Sequence, residues 1–301
     1  MSISTVSAVH AGAFGGARQV AADYFELTKP KVQSLLLLTT VTTMEVAGSP
    51  SVSKIGLTCL GGYLSAGGAG AVNHCYDRDL DAQMARTAAR PIPAGRVSPR
   101  AALIYGFALA ALSFLLLTLT VNVLAASLAF GGFVGYVGVY TVWLKRRTPH
   151  NIVIGGAAGA IPTLAGWAAA HGRLGLGAVF LFVIVLLWTP PHFWALALLL
   201  APSYAAAQVP MLPVVRGART TAFHVLVYAL VLTAVTLVPG LIGIFGAVYL
   251  AAAAALGVAF SALAWRLWRA NTAANAALTF HSSLLYLALL FAAVAIDAAV
   301  R

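Results

Sequence analysis

The chain has 301 residues, 61% of them hydrophobic and only 8% charged, with a formal net charge of +11 and a mean hydropathy of +0.93. So little charge on so apolar a chain excludes an ordinary soluble domain, which needs far more charge to stay in solution. A nucleic-acid surface is excluded as well, because the Lys and Arg residues sit in short segments between apolar runs. An all-α, polytopic membrane protein is the class that remains.

In chain order, residues 1–22 lack the basic start and compact apolar stretch of a cleaved signal. They read as a flexible tail, rich in Ala, Gly and Ser, ahead of a single domain over 23–301. Nine apolar runs follow, at about 32–50, 55–76, 101–121, 123–143, 150–170, 174–200, 222–243, 245–265 and 277–296. The N-terminal segment and alternate loops hold Arg18, Lys29 and Lys31, then Arg78, Arg86, Arg90, Arg96 and Arg100, then Lys145, Arg146 and Arg147, then Arg216 and Arg219, then Arg266 and Arg269. The opposite face has only Lys54, Arg173 and Arg301. The positive-inside rule therefore predicts a cytoplasmic N-terminus, an external C-terminus and nine membrane helices, with the polar loops 77–100 and 144–149 capping the cytoplasmic side.

Small residues crowd two runs: Gly61, Gly62, Ala66 and Gly70 in the second, and Gly155, Gly156 and Gly159 in the fifth. Neither has the Lys-Ser/Thr ending of a phosphate-binding loop, so close helix packing is the reading for both. Pro162 and the Pro190-Pro191 pair are expected to kink or break helices five and six, opening backbone groups toward an interior cavity. Cys59 and Cys75 lack the C-x-x-C spacing of a metal or redox site.

Of the seven acidic residues, Asp77, Asp79 and Asp81 fall together at the end of the second run. On a continuing helix, Asn73, Asp77 and Asp81 repeat every fourth residue and share a face, while Asp79 points elsewhere. Two carboxylates a turn apart repel unless a cation lies between them, and a hard divalent cation such as Mg²⁺ prefers this oxygen-rich set. The alternative is a solvated helix end whose Asp residues pair with Arg78, Arg86 or Arg90. Arg86 and Arg90 follow in the same loop, which ends in a Pro91-Ile92-Pro93-Ala94-Gly95 turn, and Lys145-Arg146-Arg147 follows the fourth run. Metal-bearing carboxylates facing guanidinium forks suit a diphosphate. Arg96, Arg100, Arg266 and Arg269 are instead expected to attract anionic lipid headgroups.

His192 follows the double proline, in Trp188-Thr189-Pro190-Pro191-His192-Phe193-Trp194. A His at membrane depth is a functional candidate: a haem-iron ligand, a base, or a hydrogen-bond partner for a freed carbonyl. His224 and His281 lie near predicted helix starts, where polar residues cost little, and His74 lies off the acidic face. Most of Trp143, Trp167, Trp188, Trp265 and Trp268 read as interfacial anchors.

The run from Asn73 through Asp77 to Asp81, followed by Arg86-Thr-Ala-Ala-Arg90-Pro-Ile-Pro-Ala-Gly-Arg96, resembles the first signature of the UbiA superfamily of intramembrane prenyltransferases. Three further stretches resemble the haem-farnesylating branch of that superfamily. They are Tyr140 to Ala157, Trp188 to Ala197, and Val209-Pro210-Met211-Leu212-Pro213-Val214-Val215. The likeness spans residues 24 to 296.

The resemblance implies helices around a central cavity open to lipid, in the cytoplasmic membrane. It implies farnesyl diphosphate and haem B as substrates, with Asn73, Asp77 and Asp81 organising Mg²⁺. Arg86, Arg90, Lys145 and Arg146 would hold the diphosphate, and His192 would lie on the haem side. A haem A synthase or cytochrome oxidase assembly factors are the implied protein partners, and nucleic acid is not one. The chain departs from the family in one place: related sequences carry acidic residues before a Tyr after the sixth run, where this chain reads Ala201-Pro202-Ser203-Tyr204. No carboxylate occurs between Asp81 and Asp297, so Ser203 and water would have to substitute, or activity would be weakened or lost.

Overall fold

The computed structural model describes residues 16–301, and the first part of the expected tail lies outside the described residues. Within them residues 16–22, also expected as tail, are the opening turns of a helix over 16–27, α1. The helices that follow are α2 (Pro30–Ala47), α3 (Val52–Tyr76), the short α4 (Arg78–Gln83), α5 (Pro99–Thr120), α6 (Val123–Val134), α7 (Asn151–His171) and α8 (Leu176–Leu199). Two short helices, α9 (Ala201–Ala206) and α10 (Leu212–Arg216), precede α11 (Ala218–Leu241), α12 (Ala247–Arg269) and α13 (Ala273–Val300). α6 runs on as a π-helix over Gly135–Leu144. The described residues contain no strand.

Among the described residues, eight helices are long and apolar enough to cross a membrane: α3, α5, α6 with its π extension, α7, α8, α11, α12 and α13. The first of the nine expected runs forms α2, 18 residues whose buried side includes Gln33, Thr39, Thr40, Thr42 and Thr43. These polar groups bond inside the protein: Thr39 and Thr40 donate to Leu36 O, and Thr43 donates to Thr39 O. α2 is thus polar toward its neighbours, α7 and α13, rather than uniformly apolar.

Local chemistry fixes the helix ends. Ser51, Ser98, Asn122 and Thr272 each accept a backbone N–H of the first turn of α3, α5, α6 and α13. Each such cap stabilises by roughly 1 kcal/mol. Gly172, at φ 76°, ends α7 in the left-handed region that a residue with a Cβ avoids.

Each long helix packs on the next, α2 on α3, α3 on α5, and so on to α13, which returns to α2 and closes a ring. Cross contacts of α2 with α7 and of α8 with α13 tie the two halves together. The glycines do the work expected of small residues in lipid. A Cβ on Gly68 would lie 2.5 Å from Gly106 O, so α3 and α5 meet backbone to backbone. Ser113 then donates to Gly61 O at 2.7 Å across the same seam.

The prolines do not break their helices. α7 runs through Pro162, and α8 runs unbroken through Pro190 and Pro191. Pro190 and Pro191 are buried, and packing of α8 against α7, α11 and α13 carries the helix past the two missing N–H donors.

Candidate functional site

Polar side chains converge at the end of the bundle where α3 gives way to α4. Asp77 stands at that junction, with φ −89° and ψ 5°, as the C-cap of one helix and the N-cap of the next. The i→i+4 pattern survives the junction: Asp77 N–H donates to Asn73 O at 2.9 Å, and Asp81 N–H to Asp77 O at 2.8 Å. Asn73, Asp77 and Asp81 therefore stay on one face, and all three are buried.

Cations cover that face. Lys145 Nζ pairs with Asp77 Oδ2, and Arg90 Nη1 reaches both oxygens of Asp81 at 2.8 Å. Asn73 Nδ2 donates to Asp77 Oδ2 at 2.8 Å and to Thr141 Oγ1 at 3.1 Å, while its Oδ1 accepts from Lys29 Nζ at 2.5 Å. Asp77 Oδ1 is buried without a hydrogen-bond partner, and Arg146 Nη2 is 4.0 Å away. An orphaned, enclosed carboxylate oxygen fits a divalent cation, the chemistry its donor set favours. Among the described residues, no three His, Cys, Asp or Glu side chains are grouped so as to hold a metal without other ligands. A metal there would bind first at Asp77 Oδ1 and complete its shell from substrate and water, taking Asn73 Oδ1 and Asp81 as Lys29 and Arg90 turn to the substrate.

Arg146 is differently engaged. Its two terminal nitrogens each reach one oxygen of Asp79 at 2.6 Å, and one of them also donates to Tyr76 O at 2.7 Å. These bonds hold the half-exposed Asp79 carboxyl below the usual carboxylate range and raise the Arg146 guanidinium. Asp79, set aside on helical spacing, is thus the anchor of a candidate phosphate ligand. Arg78 turns away and donates to Cys75 O, and Arg86 is exposed, with no hydrogen bond or ion pair among the described residues. Arg96, expected at the lipid surface, instead pairs with buried Asp23 at 2.9 Å and fastens the 91–97 turn to α1.

Lys29 was not among the expected site residues. It has φ 55° and ψ 55°, the left-handed region, in the turn between α1 and α2. Gly67 and Gly70 make room for that turn: a Cβ on either would lie 3.0 Å from Thr28 Cβ or from Leu27 O. Thr28 O is held by Gln33 Nε2 at 3.0 Å, so the ammonium is aimed inward at Asn73 and, at 3.3 Å, at Tyr136 Oη. Enclosure, together with the charges of Lys145 and Arg90, pushes it down to about 7. Thr141 and Tyr136 reach the site because the π-helix is wider than an α-helix, as Lys145 N–H donating to Tyr140 O shows.

An apolar group adjoins this cluster through Leu80 and Met84, which lie on either side of Asp81 in sequence. Leu80 and Met84 from the α4 region, Ile152 from α7, and Ala207, Val209 and Met211 from the loop after α9 form one buried group with Tyr140 and Tyr204. α9 brings Ser203 and Tyr204 to this group and carries no carboxylate. His192 lies elsewhere, buried between α8 and α13 with Nδ1 2.7 Å from Ser283 Oγ.

The pattern that describes the UbiA prenyltransferase family matches residues 35–294. The chain is 51% identical over 282 residues to a Chloroflexus aurantiacus protein named protoheme IX farnesyltransferase, covering 93% of this chain and 48% of that one. It is 50% identical over 278 residues to the protein of the same name from Gloeobacter violaceus, covering 91% of each. The chain thus spans about half the length of the Chloroflexus relative and most of the Gloeobacter one. Its fold matches a structure described as digeranylgeranylglyceryl phosphate synthase, with TM-score 0.79, 18% identity, and 94% of this chain and 100% of that one covered. It also matches a UbiA homolog from Archaeoglobus fulgidus bound to DMAPP and Mg²⁺, with TM-score 0.68, 17% identity, and 91% and 99% covered. Eight apolar helices, a buried Asn73–Asp77–Asp81 face and a match over most of the sequence lead to one conclusion: this chain is a multi-pass membrane protein that belongs to the UbiA prenyltransferase family.

Proposed function

We propose that this chain transfers a farnesyl group from farnesyl diphosphate to a vinyl group of protohaem IX, giving haem O and releasing diphosphate. The observation that carries this reading is the buried Asn73–Asp77–Asp81 face overlaid by Lys29, Arg90 and Lys145. The haem acceptor rests on the relatives of about 50% identity, whose name is protoheme IX farnesyltransferase.

In the reaction, the allylic C–O bond of farnesyl diphosphate breaks and its electron pair leaves on the diphosphate. The vinyl π pair forms the new C–C bond, and water captures the resulting cation and loses a proton to leave a hydroxyl. Negative charge accumulates on the departing oxygens, so fixed cations aimed at them stabilise the transition state more than the ground state. Lys145 and Arg90 supply those cations in ready-made positions, Lys29 joins them as bound diphosphate favours its protonated form, and exposed Arg86 is free to close on the distal phosphate. Arg146, tethered by Asp79, holds the edge of the site. A divalent ion, Mg²⁺ by donor type, would be held by Asn73, Asp77 and Asp81 and would neutralise diphosphate charge. The apolar group of Leu80, Met84, Val209 and Met211 keeps water from the allylic cation until the C–C bond forms.

The basic loops support nine spans in the cytoplasmic membrane, with the N-terminus and this site on the cytoplasmic side and the C-terminus outside. A second reading, a haem carrier without transferase activity, is favoured by one observation: α9 has no carboxylate to share a metal with Asp77 and Asp81. The two separate when purified protein is given Mg²⁺, farnesyl diphosphate and haem B and the products are resolved by chromatography. Haem O supports the transferase; haem retained without any diphosphate release supports the carrier, and prenylation of a phenolic acid in place of haem overturns the acceptor.

A further inference from the structure

Two aromatic residues one turn apart on α8 grip a single residue of α13. Trp188 Nε1 donates to Ser283 O at 2.7 Å, and His192 Nδ1 meets Ser283 Oγ at 2.7 Å. The Ser283 hydroxyl has one proton, and it donates that proton to Phe280 O at 2.6 Å. Toward His192 the hydroxyl therefore accepts, so Nδ1 carries the ring proton and the lone pair lies on Nε2. Nε2 has no partner among the described residues and is not one of the sealed polar atoms. The ring is clamped on both faces, by Trp188 at 4.3 Å and 16° and by Phe280 at 4.8 Å and 26°.

A fixed tautomer, a fixed ring plane and a free Nε2 are what a metal-ligating imidazole requires, its other N–H being held by an oxygen acceptor. A general base would need somewhere to pass its proton. No carboxylate is bonded to this ring; its polar contact is a neutral hydroxyl. His192 is seven residues from the end of α8, roughly 10 Å along the axis, so it belongs to the same half of the bundle as the loop that adjoins the polar site.

We propose that His192 Nε2 is the axial ligand through which this chain holds the iron of its haem substrate, with Ser283 as the positioning residue. The inference rests on the haem acceptor proposed above. It gives His192 a binding task separate from diphosphate departure at Asp77.

The test is haem titration of the purified full chain in detergent, read by absorption and resonance Raman spectra. Wild type is expected to bind haem with an imidazole-ligated spectrum. His192→Ala is expected to lose that spectrum, bind haem at least tenfold more weakly, and recover the spectrum with added imidazole, which also shows the variant is folded. Ser283→Ala is expected to keep the ligand but lower the ferrous iron–histidine stretching frequency, because Nδ1–H loses its acceptor. A wild-type spectrum from His192→Ala overturns this proposal and leaves the haem acceptor standing. Failure of wild type to bind haem overturns both.

Discussion

Lys29 Nζ donates to Asn73 Oδ1 at 2.5 Å from a backbone in the left-handed conformation, so an energetically unfavourable turn holds a cation on the buried acidic face. For a residue with a Cβ that conformation costs roughly 1–2 kcal/mol. Lys29→Gly is therefore expected to retain or gain thermal stability while losing function. Farnesyl diphosphate KM should rise tenfold or more, and thermal unfolding in detergent should show an unchanged or higher midpoint. A drop in midpoint with an unchanged KM would make Lys29 structural.

The Asp79–Arg146 pair is half-exposed, with Asp79 at 54% and Arg146 at 32%, and such pairs contribute roughly 0–1 kcal/mol. Asp79→Asn is accordingly expected to leave the unfolding midpoint nearly unchanged and to alter turnover by no more than a few fold, since Arg146 keeps its bond to Tyr76 O. Steady-state kinetics beside Asp77→Asn give the comparison. Equal damage from both substitutions would contradict the division between buried and exposed carboxylates.

Asp297 is the one acidic residue after Asp81, and its work is mechanical. Its carboxylate accepts Gly246 N–H at 2.5 Å and Tyr249 N–H at 3.2 Å, capping α12 from α13. Asp297→Ala leaves buried backbone donors unpaired and is predicted to cost about 1–3 kcal/mol. Activity per folded molecule should stay at the wild-type level, measured after size-exclusion selection.

The α3–α5 seam gives a packing prediction with an internal control. Gly68→Ala forces a Cβ to within 2.5 Å of Gly106 O, backbone that has no side chain to swing aside. It should destabilise by about 1–3 kcal/mol. Gly62→Ala, in the same helix with nothing within 4 Å of the new atom, should be silent. Thermal unfolding of the two side by side checks the point.

The helical class and the Asn73–Asp77–Asp81 face were legible in the sequence because both rest on local periodicity, and the i→i+4 bonds persist through the α3–α4 junction. What was hidden depends on tertiary geometry. Lys29 reaches Asn73 through a left-handed turn seated on Gly67 and Gly70, and nothing in Lys-Pro-Lys announces it. Thr141 arrives through a π-helix, which periodicity of 3.6 misplaces. The ion pairs of Arg146 with Asp79 and of Arg96 with Asp23 were not legible either, because each links loops or helices far apart in sequence. Pro190 and Pro191 mark a break by propensity, yet neighbours carry α8 through them.

The central claim is that diphosphate leaves from the face formed by Asn73, Asp77 and Asp81. The direct measurement is diphosphate release from farnesyl diphosphate in the presence of haem B and Mg²⁺, for wild type, Asp77→Asn and Asp81→Asn. Each substitution keeps size and removes one buried negative charge, leaving Lys145 or Arg90 without its carboxylate partner. At least a hundredfold loss of release is expected in both variants, with haem binding unchanged. Release at the wild-type rate from either variant would contradict the claim.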